Sequence, residues 1–113
     1  MKEIKAYIKP HKMPDVALAL HRINGLTGMS VTEIRGFGRS HIKDDRKEIL
    51  IDTVEYNTQV KIEIVCHDGL VEEVVSVIQK NAHTGLRGDG NIYINSIEDA
   101  IRISTGERGE KAV

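Results

Sequence analysis

The chain has 113 residues and a formal net charge of −1, with 16 basic and 17 acidic side chains. This length suits one domain, and the near balance of charge excludes the basic surface that binds a nucleic-acid backbone. Aromatic residues make up only 4% of the chain, too few for stacking on single-stranded nucleic acid. We therefore predict a single domain over residues 1–113 that has no nucleic-acid partner.

Targeting features are sparse in this sequence. Lys2, Glu3 and Lys5 stand where a secretory signal would have its apolar stretch, and no apolar run approaches the length of a membrane span. Cys66 is the only cysteine, so an intrachain disulfide is excluded. Together these features predict a cytoplasmic protein.

The first half of the chain has the pattern of a strand, a helix and a second strand. Apolar and polar residues alternate over 4–8, which predicts a half-buried strand. Apolar residues then recur at helical steps over 14–23, where Pro14 suits a first turn and Gly25 follows the end. Residues 31–36 predict the second strand.

The second half repeats this order. Alternation over 60–66 predicts a strand, and the helix after it is predicted to be capped by Asp68. A short strand is predicted over 91–94. A helical turn near 96–100 and a further extended piece at 101–103 complete the predicted elements.

Two strand-helix-strand halves predict an α+β fold, the ferredoxin-like βαββαβ sandwich. It has one four-stranded antiparallel sheet with both helices on one face. The other face is left uncovered, although it carries apolar or amphipathic residues such as Tyr7, Val65 and Tyr93. Self-association through this face is the simplest way to cover it.

A long loop is predicted at about residues 40–59, between the second and third strands. Loops longer than about 12 to 15 residues are uncommon in compact domains and tend to be functional or disordered. Residues 40–48 are polar and charged, whereas Ile49, Leu50 and Ile51 are apolar. The segment is either a flexible arm that orders against a protein partner or an extended hairpin that thickens the sheet edge.

Three segments combine glycine with arginine: residues 36–39, 84–90 and 102–109. Glycine lets backbone N–H groups approach phosphate oxygens, and a guanidinium forms a charge-assisted bond to them. Each segment alone is weak support, because Gly-Asp-Gly is also an ordinary tight turn. Their joint presence on one small domain favours binding of a nucleotide diphosphate.

Five segments match one known family in order and spacing: Ile8–Pro10, Thr27–Arg39, Val60–Val65, Thr84–Ile94 and Ile101–Gly109. Through them the chain resembles the PII signal-transduction proteins over nearly its whole length. The resemblance implies a homotrimer of ferredoxin-like subunits with adenine nucleotides in three clefts between subunits. The ligands expected are ADP, AMP or ATP, with no further cofactor.

The resemblance also implies which residues bind the ligands. Those implied for the nucleotide lie in the glycine-rich segments and on the third strand: Gly36, Phe37, Gly38, Arg39, Glu63, Val65, Arg87, Gly88, Asp89, Gly90, Arg102 and Ser104. Those expected to hold a small anionic effector are Arg39, Asn91, Arg102 and Ser104. No catalytic residue is assigned.

Several positions depart from the pattern of nitrogen-sensing PII proteins. Asp52 stands at the position of the uridylylated tyrosine, Ser40 replaces a glutamine that helps hold magnesium, and Gln59 replaces a lysine that meets 2-oxoglutarate. Asn91 and Ser104 replace two phosphate-binding cations. The resemblance is therefore closer to carbon-responsive relatives associated with bicarbonate transport or carboxysomes. ADP or AMP should bind at least as well as ATP.

The function that we favour at this point is a non-enzymatic regulator. It would bind adenine nucleotide and bicarbonate, and act through its long loop on a protein partner such as a transporter or a carboxysome-related protein. One alternative is a nitrogen-regulatory PII protein that senses ATP or ADP with 2-oxoglutarate. The others are a small nucleotide-hydrolysing enzyme on the same fold and a structural trimer that binds no nucleotide.

The remaining reactive side chains predict neither a metal site nor a redox switch. The five histidines have no metal-ligand spacing. Cys66 ends an apolar alternation and is expected to be a small buried hydrophobic residue.

Overall fold

The computed structural model describes residues 1–36 and 57–113. The helices and strands are, in chain order, β1 (Lys2–Ile8), α1 (Met13–His21), β2 (Ser30–Gly36), β3 (Asn57–Cys66), α2 (Val71–Ala82) and β4 (Asn91–Ser96). The strands form one antiparallel sheet in the order β2-β3-β1-β4. The predicted ferredoxin-like sandwich is thus confirmed.

The core lies between the two helices and one face of the sheet. Every second residue from Ile4 to Ile8 and from Val60 to Cys66 is buried there, as the alternation predicts, with Ala6 and Ile62 directly paired across the two strands. α1 contributes Val16 and Leu20 four residues apart, and α2 contributes a longer buried stripe that includes Ile78. Burying each such aliphatic side chain stabilises the fold by about 1.5 to 3 kcal/mol. Among the described residues, no helix is both long and apolar enough to cross a membrane.

The opposite face of the sheet, called here the open face, carries no α-helix in the part of the chain that the structure describes. Tyr7 and Tyr93 meet on it edge to face, with ring centroids 5.8 Å apart. Tyr93 is 51% exposed. Lys61 and Glu63 form an ion pair of 2.8 Å on the same face. This surface therefore combines exposed aromatic area with paired charges.

The start of β3 and the cap of α2 both differ from their predictions. β3 begins at Asn57, so residues 57–59 of the predicted loop belong to a strand, where they pair with the end of β2 at 34–36. The rest of that loop lies outside the described residues. Asp68 does not cap α2 with its side chain. It begins a 3₁₀ turn, and its carboxylate accepts a hydrogen bond of 2.8 Å from the α-amino group of Met1, a competing partner that is remote in sequence.

The segment after β4 also differs from its prediction. No helical turn forms at 96–100, because β4 runs on to Ser96 and the amide of Ile97 then donates to the carbonyl of Met1. The extended piece predicted at 101–103 is reduced to one bridge between Ile101 and Arg108, which closes a hairpin.

Candidate functional site

The loop that joins α2 to β4, residues 83–90, is braced by internal hydrogen bonds. The Asp89 carboxylate accepts hydrogen bonds from the backbone N–H of Thr84, at 2.9 Å, and from its hydroxyl. The Lys9 ammonium lies 3.2 Å from the same carboxylate and donates to the Thr84 oxygen at 3.1 Å. These contacts, the Thr84 hydroxyl first, hold the pKa of Asp89 well below its usual range. Asp89 is therefore a permanently charged brace of the loop at neutral pH.

Gly90 fixes the end of this loop against β1. Its φ is +102°, and a Cβ placed on it would lie 1.6 Å from the carbonyl oxygen of Tyr7. Only glycine allows this approach of two backbones. Gly88, with φ of +81°, also has a left-handed conformation. The Gly-Asp-Gly sequence is thus a rigid turn whose central side chain points back to Thr84 rather than outward.

A cavity of about 440 Å³ opens beside this turn on the open face. It lies between the ends of β2 and β3 on one side and the start of β4 on the other. Its lining residues are Tyr7, Gly36, Asn57, Gln59, Gly90, Asn91 and Tyr93. Three residues assigned from the sequence, Gly36, Gly90 and Asn91, therefore come together here. The side-chain amides of Asn57, Gln59 and Asn91 can form hydrogen bonds with a ligand but carry no charge.

A second cavity, of about 530 Å³, lies at the other end of the β1-β3 pair. Its lining residues are Glu3, Thr27, Gly28, Met29, Ser30, Glu63, Val65, Ala100, Ala112 and Val113. The family resemblance assigns Glu63 and Val65 to the nucleotide, and both residues line this cavity. Lys61 lowers the pKa of Glu63 through a hydrogen bond and its charge, so this carboxylate is ionised at neutral pH.

The other assigned residues lie away from these two cavities or outside the described chain. Arg102 and Ser104 are on the exposed hairpin, where the Arg102 guanidinium donates to the carbonyl of Lys111 at 3.2 Å. Arg87 is exposed on the braced loop. Phe37, Gly38 and Arg39 lie outside the described residues, as do Ser40 and Asp52.

Sequence reasoning missed three parts of this region: Lys9, residues 27–30 and the C-terminal pair Ala112 and Val113. Lys9 stands 75 positions from its partner Thr84, so no local pattern reveals the contact. Residues 27–30 had one available signal, a glycine among small polar residues between a helix and a strand.

The described residues, 1–36 and 57–113, contain no group of three or more His, Cys, Asp or Glu side chains that could hold a metal ion. Cys66 is buried, and desolvation raises the pKa of its thiol. A neutral, buried thiol matches the prediction of a small hydrophobic residue.

Fold and loop arrangement together place the chain among ferredoxin-like signalling proteins of the PII type. The family model described as nitrogen regulatory protein P-II matches residues 1–107. The chain belongs to this family, which confirms the resemblance found in the sequence.

Individual relatives are similar to this chain over its full length. The nitrogen regulatory protein P-II of Rhodospirillum rubrum is 48% identical over 113 residues, and that of Azospirillum brasilense is 43% identical, each covering 100% of both chains. Among solved structures, Arabidopsis thaliana PII bound to citrate matches with a TM-score of 0.79 and 37% identity, over 99% of this chain and 91% of the other.

Proposed function

We propose that this protein is a nitrogen-regulatory signalling protein that binds an adenine nucleotide in clefts between the subunits of a homotrimer. The observation that carries the proposal is the braced Gly88–Gly90 turn beside the 440 Å³ cavity, in a chain whose relatives are named nitrogen regulatory proteins. Those names favour nitrogen regulation, the alternative of the sequence analysis, over the inorganic-carbon function preferred there.

The two cavities suggest how the nucleotide lies. The phosphates would lie at the Gly88–Gly90 turn, whose conformation is fixed before any ligand arrives, so little ordering entropy is lost on binding. The base would lie in the 530 Å³ cavity of a neighbouring subunit, beside Glu63 and Val65, because the two cavities of one chain lie at opposite ends of the β1-β3 pair. The described lining of the 440 Å³ cavity contains no cation. Arg39 of the same chain and Arg102 of a neighbouring subunit would supply the positive charge.

The open face supports the trimer. Tyr93 exposes aromatic surface to water, and the charged residues beside it are already paired with each other. Burying this face against a second copy of itself would therefore be favourable. Arg102 and Ser104 are exposed and do not line either of these two cavities of their own chain, so they are then available to the neighbour's cleft.

Regulation would come from coupling between the nucleotide and a small effector. For a nitrogen regulator the effector expected from the family resemblance is 2-oxoglutarate. Gln59 lines the 440 Å³ cavity, and its amide can donate to a carboxylate where relatives use a lysine. A neutral donor forms a weaker bond than a charged one, so coupling is expected to be modest.

The second candidate function is a regulator with the same fold and the same bound nucleotide, but with bicarbonate as its effector. It is favoured by Asn91, which lines the cavity as an uncharged donor in place of a cation. Its protein partner would then be a transporter or a carboxysome-related protein.

Calorimetry separates the two candidates. MgATP is titrated with and without 2-oxoglutarate, and ADP with and without bicarbonate, at fixed pH and ionic strength. Mutual tightening of MgATP and 2-oxoglutarate by the same factor supports nitrogen regulation. Tightening of ADP by bicarbonate alone supports the second candidate. We also infer a regulator rather than an enzyme, so phosphate release from ATP should be slower than one turnover per several minutes.

A further inference from the structure

The C-terminal 3₁₀ turn, Gly109–Ala112, is tied to the end of β3 by a cluster of charges. Glu110 contacts two groups with its two carboxylate oxygens. One oxygen pairs with Nδ1 of His67, and the other lies 3.3 Å from the α-amino group of Met1. That amino group also donates to Asp68 at 2.8 Å. Glu110 thus links the last turn of the described chain to the residue that follows β3.

This cluster stands directly beside the 530 Å³ cavity. Ala112 and Val113, two and three residues after Glu110, form part of the cavity wall opposite Glu63 and Val65. The amide of Val113 donates to the Glu110 carbonyl at 3.3 Å, which closes the turn. A displacement of Glu110 would therefore move the wall.

We propose that Glu110 is a positioning residue for the base end of the nucleotide site: by pairing with His67 it holds residues 109–113 as a wall of the cavity. The proposal rests on the proposed function only in naming the ligand. The contact itself makes the wall's order, and hence the ligand affinity, depend on the presence of both Glu110 and His67.

Further charged groups face the pair of Glu110 and His67. They are the Met1 amino group and Asp68, with Lys2 beside Asp68. His67, and after it the amino group, lowers the pKa of Glu110, so this carboxylate stays ionised near neutral pH. Asp68 raises the pKa of the amino group, which keeps its charge. The ionised Glu110 carboxylate can therefore hold both the imidazole and the amino group, which fixes the wall at two points.

The test measures ADP affinity by calorimetry at one fixed pH for the wild type, Glu110→Gln, His67→Gln and the double variant. Exposed polar pairs are weak, so we expect Glu110→Gln to lower affinity about two- to fivefold and His67→Gln to lower it by a similar or smaller factor. Since Glu110 contacts the Met1 amino group as well as His67, the double variant should equal Glu110→Gln. Glu98→Gln, which removes another exposed carboxylate of the same region, serves as the control.

Amide hydrogen exchange at residues 111–113 without nucleotide separates this proposal from the proposed function. Exchange should be about two- to fivefold faster in Glu110→Gln and His67→Gln than in the wild type or Glu98→Gln. If no variant binds ADP, the nucleotide assignment fails, while faster exchange still supports the positioning role. Unchanged exchange in Glu110→Gln, or an ADP affinity that neither Glu110→Gln nor His67→Gln changes, would overturn it.

Discussion

Gly90 and Tyr7 touch through their backbones, since a Cβ on Gly90 would lie 1.6 Å from the Tyr7 carbonyl oxygen. This contact joins the Gly-Asp-Gly turn to the central strand β1 and sets the distance between the turn and the ends of β2 and β3. The width of the 440 Å³ cavity therefore depends on a residue that has no side chain.

Gly90→Ala should be strongly destabilising. The substitution combines a positive φ with a clash against backbone atoms that cannot move without disturbing β1. We expect a loss of about 2 to 4 kcal/mol in the free energy of unfolding, measured by urea denaturation. Gly69→Ala is the matched control, because a Cβ there meets nothing within 4 Å. A change of about 0.5 kcal/mol or less is expected for it. Equal stability of the two variants would refute the close approach.

Asp89→Asn should reduce stability in a pH-dependent way. The pKa of Asp89 is lower in the folded protein than in the unfolded chain, because Thr84 and Lys9 bind the ionised form. Its contribution is therefore fully present above the unfolded pKa of about 4 and is lost as the pH falls below that value. The difference in urea midpoint between wild type and variant should be constant from about pH 5 to pH 7.

Below about pH 4 that difference should shrink, since Asp89 of the unfolded wild-type chain then takes up a proton that it must release on folding. Glu98→Gln is the control, with little difference from the wild type at any of these pH values. A midpoint difference for Asp89→Asn that persisted unchanged at pH 2 would contradict the role of the charge.

Tyr93→Glu should prevent assembly. Tyr93 is 51% exposed on the open face, and a carboxylate placed there would have to be desolvated at the trimer interface. Light scattering should show a trimer for the wild type and a monomer for the variant at micromolar concentration. Leu18→Glu is the control, because Leu18 is 53% exposed but lies on α1, on the other side of the sheet. A monomeric wild type would contradict the assembly itself.

The strands and helices in which apolar residues recur at a regular spacing could be predicted from the sequence. Ile4, Ile8 and Ile62 lie where their alternation places them. Gly90, from one of the glycine-rich segments, lines the 440 Å³ cavity. The errors arose where a distant partner competes with a local preference. Asp68 resembles a helix cap, yet it binds an amino group 67 positions away.

Contacts between remote residues also explain what was missed at the site. Lys9 reaches Thr84 across 75 positions, and His67 reaches Glu110 across 43. Neither pair has a spacing that a helix or a strand would repeat. Such pairs become visible only once the sheet has brought the ends of its strands together.

Arg39→Ala should weaken ADP binding about ten- to a hundredfold, as expected for the loss of one charge-assisted hydrogen bond of about 1.5 to 3 kcal/mol. The assignment of Arg39 comes from the family resemblance, since this residue lies outside the described chain. Arg22→Ala, at the exposed end of α1, is the matched control and should bind like the wild type. If the ADP affinity of a folded Arg39→Ala variant changed by less than twofold, Arg39 would not be part of the site.

Titration of the wild-type protein with ADP by calorimetry tests the central claim most directly. The account predicts saturable binding at up to three sites per trimer, and competition by ATP for the same sites. It also predicts that Gly90→Ala, if folded, binds more weakly than Gly69→Ala. A protein that is folded and trimeric, yet gives no heat with ADP, AMP or ATP at millimolar concentration, would contradict it.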